Sequence, residues 1–192
     1  MFQSICVYCS SSDALAPEYF SAAEELGREI GQRGLSLIYG GTSVGLMGRV
    51  ARATRAHGGR VTGVIPESIR NRGIAFTESD ELIVTRDLRD RKAVMESRAG
   101  AFIAMPGGFG TLEEVLEVLT LKQLGLHAKP VILLNTAGFY DPLTAVFDRI
   151  FAERFAKPES RSYYHIAPDA RSAFEYLAAY TPPLAVSKWF SS

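Results

Sequence analysis

The chain has 192 residues, 47% hydrophobic and 22% charged, the balance of one globular domain with a real core and little room for a second. Its 21 lysines and arginines equal its 21 aspartates and glutamates, so bulk charge gives no support to nucleic acid or a membrane surface as partner. No apolar stretch approaches the roughly 20 residues of a membrane helix. No basic segment precedes the first apolar run, and the expected location is the cytoplasm.

In chain order, Ile5-Cys-Val-Tyr-Cys9 is a continuous apolar run and predicts a buried strand, followed by the polar turn Ser10-Ser-Ser-Asp13. Cys6 and Cys9 form a C-x-x-C inside that strand and not at a helix start. His57, His127 and His165 show no ligand spacing, so the thiols are expected in the core, with neither redox nor metal role. Pro17 opens a helix whose apolar positions Tyr19, Phe20, Ala23, Leu26 and Ile30 recur at helical spacing. Residues 35–39 predict a second strand, running into the glycine-rich loop 40–48 and a helix that ends near His57-Gly-Gly59. Residues 61–65 form the third strand, stopped by Pro66. Residues 67–80 are polar and irregular and predict a mobile or ligand-dependent loop. A fourth strand at 82–85 precedes a helix capped by Asp87, and 101–105 is the fifth strand. A helix over 111–125, a sixth strand at 130–134, a helix from Asp141-Pro142, a short strand at 163–167 and a helix at 169–179 complete the domain. Residues 1–180 are thus one unit and 181–192 a proline-containing tail.

Strands alternate with helices, and the strands are unbroken apolar runs. That pattern predicts an α/β fold: a Rossmann-like doubly wound parallel sheet flanked by helices. In such sheets ligands bind beyond the carboxyl ends of the strands, where three loops are expected to meet: Ser10 to Ser12, Gly40 to Gly48, and Gly107 to Thr111. None carries the dinucleotide or Walker signature, so a phosphate grip here is general and not specific to NAD or ATP.

The third of these loops, Met105-Pro-Gly-Gly-Phe-Gly-Thr-Leu-Glu-Glu114, is the centre of the chain. Glycines between a strand and a helix let backbone N–H groups approach an anion, and the helix dipole favours it. The acid pair Glu113-Glu114 lies about one turn inside. On spacing alone Thr111-Leu-Glu-Glu114 is equally a capping box, with Glu114 satisfying a backbone N–H. Upstream, Arg86-Asp-Leu-Arg-Asp-Arg-Lys92 crowds cations into a helix start, where the dipole disfavours them. Arg91 and Lys92 lie about 100° apart around that helix and cannot both face one point. On the residues alone a solvated face with ion pairs to Asp87 and Asp90 is the favoured account of them.

Pro106-Gly-Gly-Phe-Gly-Thr-Leu-Glu-Glu114 resembles, position for position, the PGGxGTxxE motif of the Lonely Guy (LOG) family of cytokinin riboside 5′-monophosphate phosphoribohydrolases. Arg91-Lys-Ala-Val-Met95, Tyr39-Gly-Gly41, Gly45-Leu-Met-Gly48 and Gly63-Val-Ile-Pro66 resemble further family segments. The resemblance implies a hydrolase that releases a free base and ribose 5-phosphate from AMP or a prenylated AMP, without metal or organic cofactor. It also implies a homodimer with the site near the interface. Arg91 and Glu114 are then the catalytic pair, Lys92 lines the nucleotide site, and Gly108, Gly110 and Thr111 hold phosphate and ribose. Thr120 corresponds to a further binding threonine. Gly107, Phe109, Glu113, Ser11, Gly41 and Met95 complete the expected substrate contacts. Ser10, Thr42, Gly73, Leu88, Arg89 and Leu121 depart from the family pattern, which leaves base preference open. The rival reading is a protein that binds a nucleotide or a molybdenum-cofactor-type phosphate ester without turnover. A lysine decarboxylase, a label also attached to such sequences, would normally need pyridoxal phosphate on a lysine, and no segment offers a recognisable site for it.

Overall fold

The structure, a computed structural model, describes residues 2–183; the proline-containing tail lies outside the described residues from position 184 onward. Seven strands form one sheet: β1 (Ser4–Tyr8), β2 (Ser36–Tyr39), β3 (Arg60–Pro66), β4 (Glu81–Thr85), β5 (Ala101–Ala104), β6 (Val131–Leu134) and β7 (His165–Ala167). Their order is β4-β3-β2-β1-β5-β6-β7, and every neighbouring pair is parallel. The chain therefore winds outward from β1 in one direction, crosses back, and winds outward the other way from β5.

Helices cover both faces: α1 (Pro17–Gln32), α2 (Gly45–Ala56), the short α3 (Glu67–Arg70), α4 (Leu88–Arg98), α5 (Phe109–Gln123), α6 (Asp141–Ala152) and α7 (Ala170–Ala179). The two-residue period of β1 divides the core. Ile5, Val7 and Cys9 pack with Leu26 and Ile30 of α1, Val50 of α2 and Phe174 of α7. Cys6 and Tyr8 point the other way, to Met95 of α4, Val115 and Val118 of α5 and Phe147 of α6. Burial on both sides is why these strands are continuously apolar and not alternating.

Three expectations need correction. Helix α2 starts at Gly45, so only the first part of the 40–48 stretch is loop. Helix α5 starts at Phe109, two residues before Thr111, with Gly108 as its N-cap. Residues 67–80 are not loose. They begin with α3, and Ser43 N–H donates to Ile74 O at 2.8 Å while Phe76 N–H donates to Gly41 O at 2.9 Å. Thr42 and Ala75 form an antiparallel bridge, and Phe76 is 3% exposed. Strand-like pairing and one buried ring thus strap this polar segment onto the second loop.

Candidate active site

The register aligns Tyr8 with Ala104 across β1 and β5, the pair at which strand order reverses. The segments leaving these strand ends open on a cavity of about 280 Å³. Cys9 and the three serines after β1 form part of its wall, with Met47 from α2 and Gly108, Gly110 and Thr111 from the start of α5. Arg91 and Glu114 also line it.

The crowded cations of α4 separate into distinct tasks. Asp87 caps the helix, its Oδ1 accepting from Arg89 N–H at 2.8 Å and Asp90 N–H at 2.9 Å. Arg86 pairs with Asp90 at 2.6 Å on the surface. Arg91, at 8% exposure, is drawn inward: its Nε donates to Val64 O at 3.1 Å and its Nη1 to Glu114 Oε1 at 2.6 Å. Lys92, one residue on, faces α5 and bridges Glu113 and Glu117, the latter at 2.7 Å. Adjacent residues about 100° apart thus meet separate acids on α5.

Glu114 is 5% exposed and caps nothing. With the helix starting at Phe109, Thr111 lies inside the first turn, and the capping box does not form. Burial raises the Glu114 carboxyl above its ordinary range, while the charge and hydrogen bond of Arg91 pull it back in part. A buried arginine–carboxylate pair is a weak source of stability, because desolvation offsets much of the attraction. Lining a cavity, it is a candidate functional pair.

The backbone amides distinguish the two glycine-containing loops. At the start of α2, Gly45 N–H donates to Asp13 Oδ1 at 2.9 Å, and the amides of Leu46 and Met47 both donate to Ser10 O, at 3.0 and 3.3 Å. That helix end is already satisfied from within the chain. At the start of α5, Gly108 supplies no side-chain cap, and the amides of Phe109, Gly110 and Thr111 donate to no acceptor among the described residues. Open amides at a helix N-terminus are a ready anion site, here beside Glu114.

Of the residues singled out in the sequence, the cavity brings together Arg91, Glu114, Gly108, Gly110, Thr111 and Ser11. Others stand elsewhere. Lys92 and Glu113 are engaged with each other, and Met95 is fully buried in the core. Phe109 is 94% exposed. Gly41 is buried, its carbonyl held by Phe76, and Gly107 lies against the Thr111 side chain. Thr120 lies in a separate groove with Leu116 and Phe147, its hydroxyl donating to Leu116 O at 2.7 Å. Cys9 and Met47 line the cavity without having been singled out for it. The signal was present for Met47, since a side chain in a first helical turn leans toward the helix start. Cys6 and Cys9 are unpaired and buried, and burial pushes both thiols far above their usual range, so they stay neutral. Thr42, where the family has glycine, donates its hydroxyl to Met47 Sδ at 3.3 Å.

Residues 47–177 match the family described as "Possible lysine decarboxylase". The cytokinin riboside 5′-monophosphate phosphoribohydrolase LOG of Oryza sativa subsp. japonica is 46% identical over 181 residues, covering 94% of this chain and 75% of that one. A protein of the same description from Arabidopsis thaliana is 47% identical over 182 residues, with coverage of 94% and 83%. Among solved structures, the molybdenum cofactor binding protein of Rippkaea orientalis superposes with a TM-score of 0.70 at 25% identity, covering 93% of this chain and 97% of that one. The Moco carrier protein of Chlamydomonas reinhardtii gives the same TM-score, identity and coverage. A motif matched position for position, a cavity that gathers its arginine and glutamate, and relatives this close over nearly the whole chain lead to one assignment: the chain belongs to the Lonely Guy (LOG) family.

Proposed function

We propose that this protein is a phosphoribohydrolase that cleaves the N-glycosidic bond of a nucleoside 5′-monophosphate, AMP or a cytokinin riboside monophosphate, to free base and ribose 5-phosphate. The observation that carries the reading is the buried Arg91–Glu114 pair facing one cavity with the open amides of α5. The 5′-phosphate docks on the amides of Phe109, Gly110 and Thr111, where the dipole adds to the hydrogen bonds. Thr111 and Ser11 line the same cavity, within reach of the ribose. As the bond to the base breaks, positive charge develops on the sugar, as in glycoside hydrolysis generally. Ionised Glu114 stabilises that charge or takes a proton from the attacking water. Water supplies the hydroxyl at the anomeric carbon, and the base leaves with the pair of bonding electrons and a proton. Arg91 holds Glu114 in place and ionised. The chain's own residues supply these roles without a metal or organic cofactor.

Release of adenine from AMP against adenosine tests the reading. A phosphate anchor predicts kcat/KM for the nucleotide at least about 100-fold above the nucleoside, the loss expected when charge-assisted hydrogen bonds go unmade. Equal values would remove the anchor. Isopentenyladenosine monophosphate as a third substrate ranks the bases. The solved molybdenum-cofactor proteins share the fold; binding of AMP without base release would transfer this protein to that class.

Helix α5 supports assembly as a homodimer. Val115 and Val118 fill the core, yet Leu116 is 43% exposed, and beyond the helix Leu124 and Leu126 are 47% and 68% exposed. Apolar residues on a second face of α5 and beyond its end suit a partner copy. Two unpaired, buried thiols suit a reducing compartment, the cytoplasm.

A further inference from the structure

Gly40 follows directly on β2, at the rim where Arg91 enters the cavity wall. Its φ is not in the left-handed region, so backbone conformation does not require glycine there. Space does. A Cβ built on Gly40 lies 2.3 Å from Arg91 Nη2, and 2.9 Å from Met47 Sδ. The guanidinium therefore rests against the bare Gly40 backbone. Its other edges are fixed by Val64 O at 3.1 Å and Glu114 Oε1 at 2.6 Å.

We infer that Gly40 is a positioning residue for the hydrolysis: its missing side chain is the slot that lets the Arg91 fork reach Glu114 while staying anchored to β3. The inference rests on Arg91 and Glu114 acting as proposed above. All three atoms met by an added Cβ belong to the outer parts of the Arg91 and Met47 side chains, so alanine at 40 leaves the fold standing. Met47 can retreat by giving up only a weak contact with the Thr42 hydroxyl. Arg91 can retreat only by leaving Val64 or Glu114. An arginine aimed by a planar fork has no second way to make both contacts.

The test is Gly40→Ala, alone and combined with Arg91→Lys, which lacks Nη2. Gly40→Ala lowers kcat for AMP on the order of 100-fold, the effect of about 1 Å of misplacement at a reacting group. KM moves much less, because the α5 amides are untouched. With the guanidinium displaced, the Glu114 carboxyl loses its counter-charge, so the acid limb of the rate profile moves to higher pH; loss of general structure leaves that limb in place. In the Arg91→Lys background Gly40→Ala changes kcat within about twofold, since the colliding atom is gone. Full activity in Gly40→Ala beside an inactive Arg91→Ala overturns this inference alone. Full activity in Arg91→Ala overturns the catalytic reading and this inference with it. Losses that multiply in the double variant also overturn it. Melting temperature guards the comparison: a collision with Nη2 is relieved in the double variant, whereas a double variant that does not fold places the collision in the backbone and overturns the slot.

Discussion

At Glu114 a single carboxyl is pushed up by burial and drawn down by Arg91, with burial the larger influence. Catalysis needs the ionised form, so activity is present above its raised pKa and lost as pH falls through it. The acid limb of kcat/KM is therefore expected above the ordinary glutamate range, and Glu114→Gln removes the limb together with the activity. Turnover falls by orders of magnitude while melting changes little; near-wild-type turnover in Glu114→Gln would end the mechanism. Arg91→Lys keeps the charge but cannot hold Val64 O and Glu114 at once, so it is severely impaired. Arg89→Ala keeps most activity, because that side chain is exposed and does not line the cavity. The pair was legible in the sequence only through the long glycine motif and the segment around Arg91. Composition treats Arg89, Arg91 and Lys92 alike. The direction in which each side chain leaves the helix separates them, and no local pattern fixes that helix's rotation.

Helices α4 and α5 carry the two halves of the site, and Lys92 ties them together through Glu113 and Glu117. In place of the expected contact with nucleotide, these ion pairs support the proposal that Lys92 acts as a strut. Lys92→Met is expected to lower stability by about 1 kcal/mol, the upper end for partly exposed pairs, with the change in KM for AMP smaller than for any cavity residue. Thermal melts and Michaelis curves on the same preparation decide it; a large KM change at unchanged melting returns Lys92 to the ligand. Asp87→Ala removes the acceptor of two amides and costs about 1 kcal/mol by denaturant unfolding. Helices were legible where a cap or a proline marks the start, as at Asp87, Pro17 and Asp141. The start of α5 was not, because Thr111-Leu-Glu-Glu114 imitates a capping box while three glycines permit an earlier turn. The 67–80 strap was missed for another reason: its order comes from pairing with residues 41–43, about thirty positions away in sequence.

Across the whole molecule the alternation of apolar runs and helical spacing was enough to predict the parallel sheet, since strands buried on both faces leave no alternative period. Strand order was not legible, because pairing between β1 and β5 depends on contacts far apart in the chain. One buried charge reports on the assembled fold. Lys122 donates to Tyr163 O at 2.9 Å and to the Tyr180 hydroxyl at 3.1 Å, and burial lowers its pKa from 10.5 to about 8. Below about pH 8 the ammonium is charged folded and unfolded, and the fold bears its burial. Between about 8 and 10.5 the unfolded chain binds the extra proton, so this group's contribution to stability rises with pH. The thiols of Cys6 and Cys9 oppose it, remaining protonated only in the fold. The measurement is therefore a difference: unfolding free energy from pH 7.5 to 10 rises less steeply in Lys122→Met than in the parent. Parallel slopes would show that Lys122 is solvated.

The two helix mouths at the cavity rim are unequal. Asp13 is, in effect, an anion the protein has already bound: its carboxylate sits on the Gly45 amide at the mouth of α2, and Ser10 O takes the amides beside it. Of these two, the mouth of α5 is the one left open. Dinucleotide folds seat a whole pyrophosphate on one open helix mouth of this kind. With the α2 mouth already occupied by Asp13, a phosphate that enters the cavity is expected on the α5 amides.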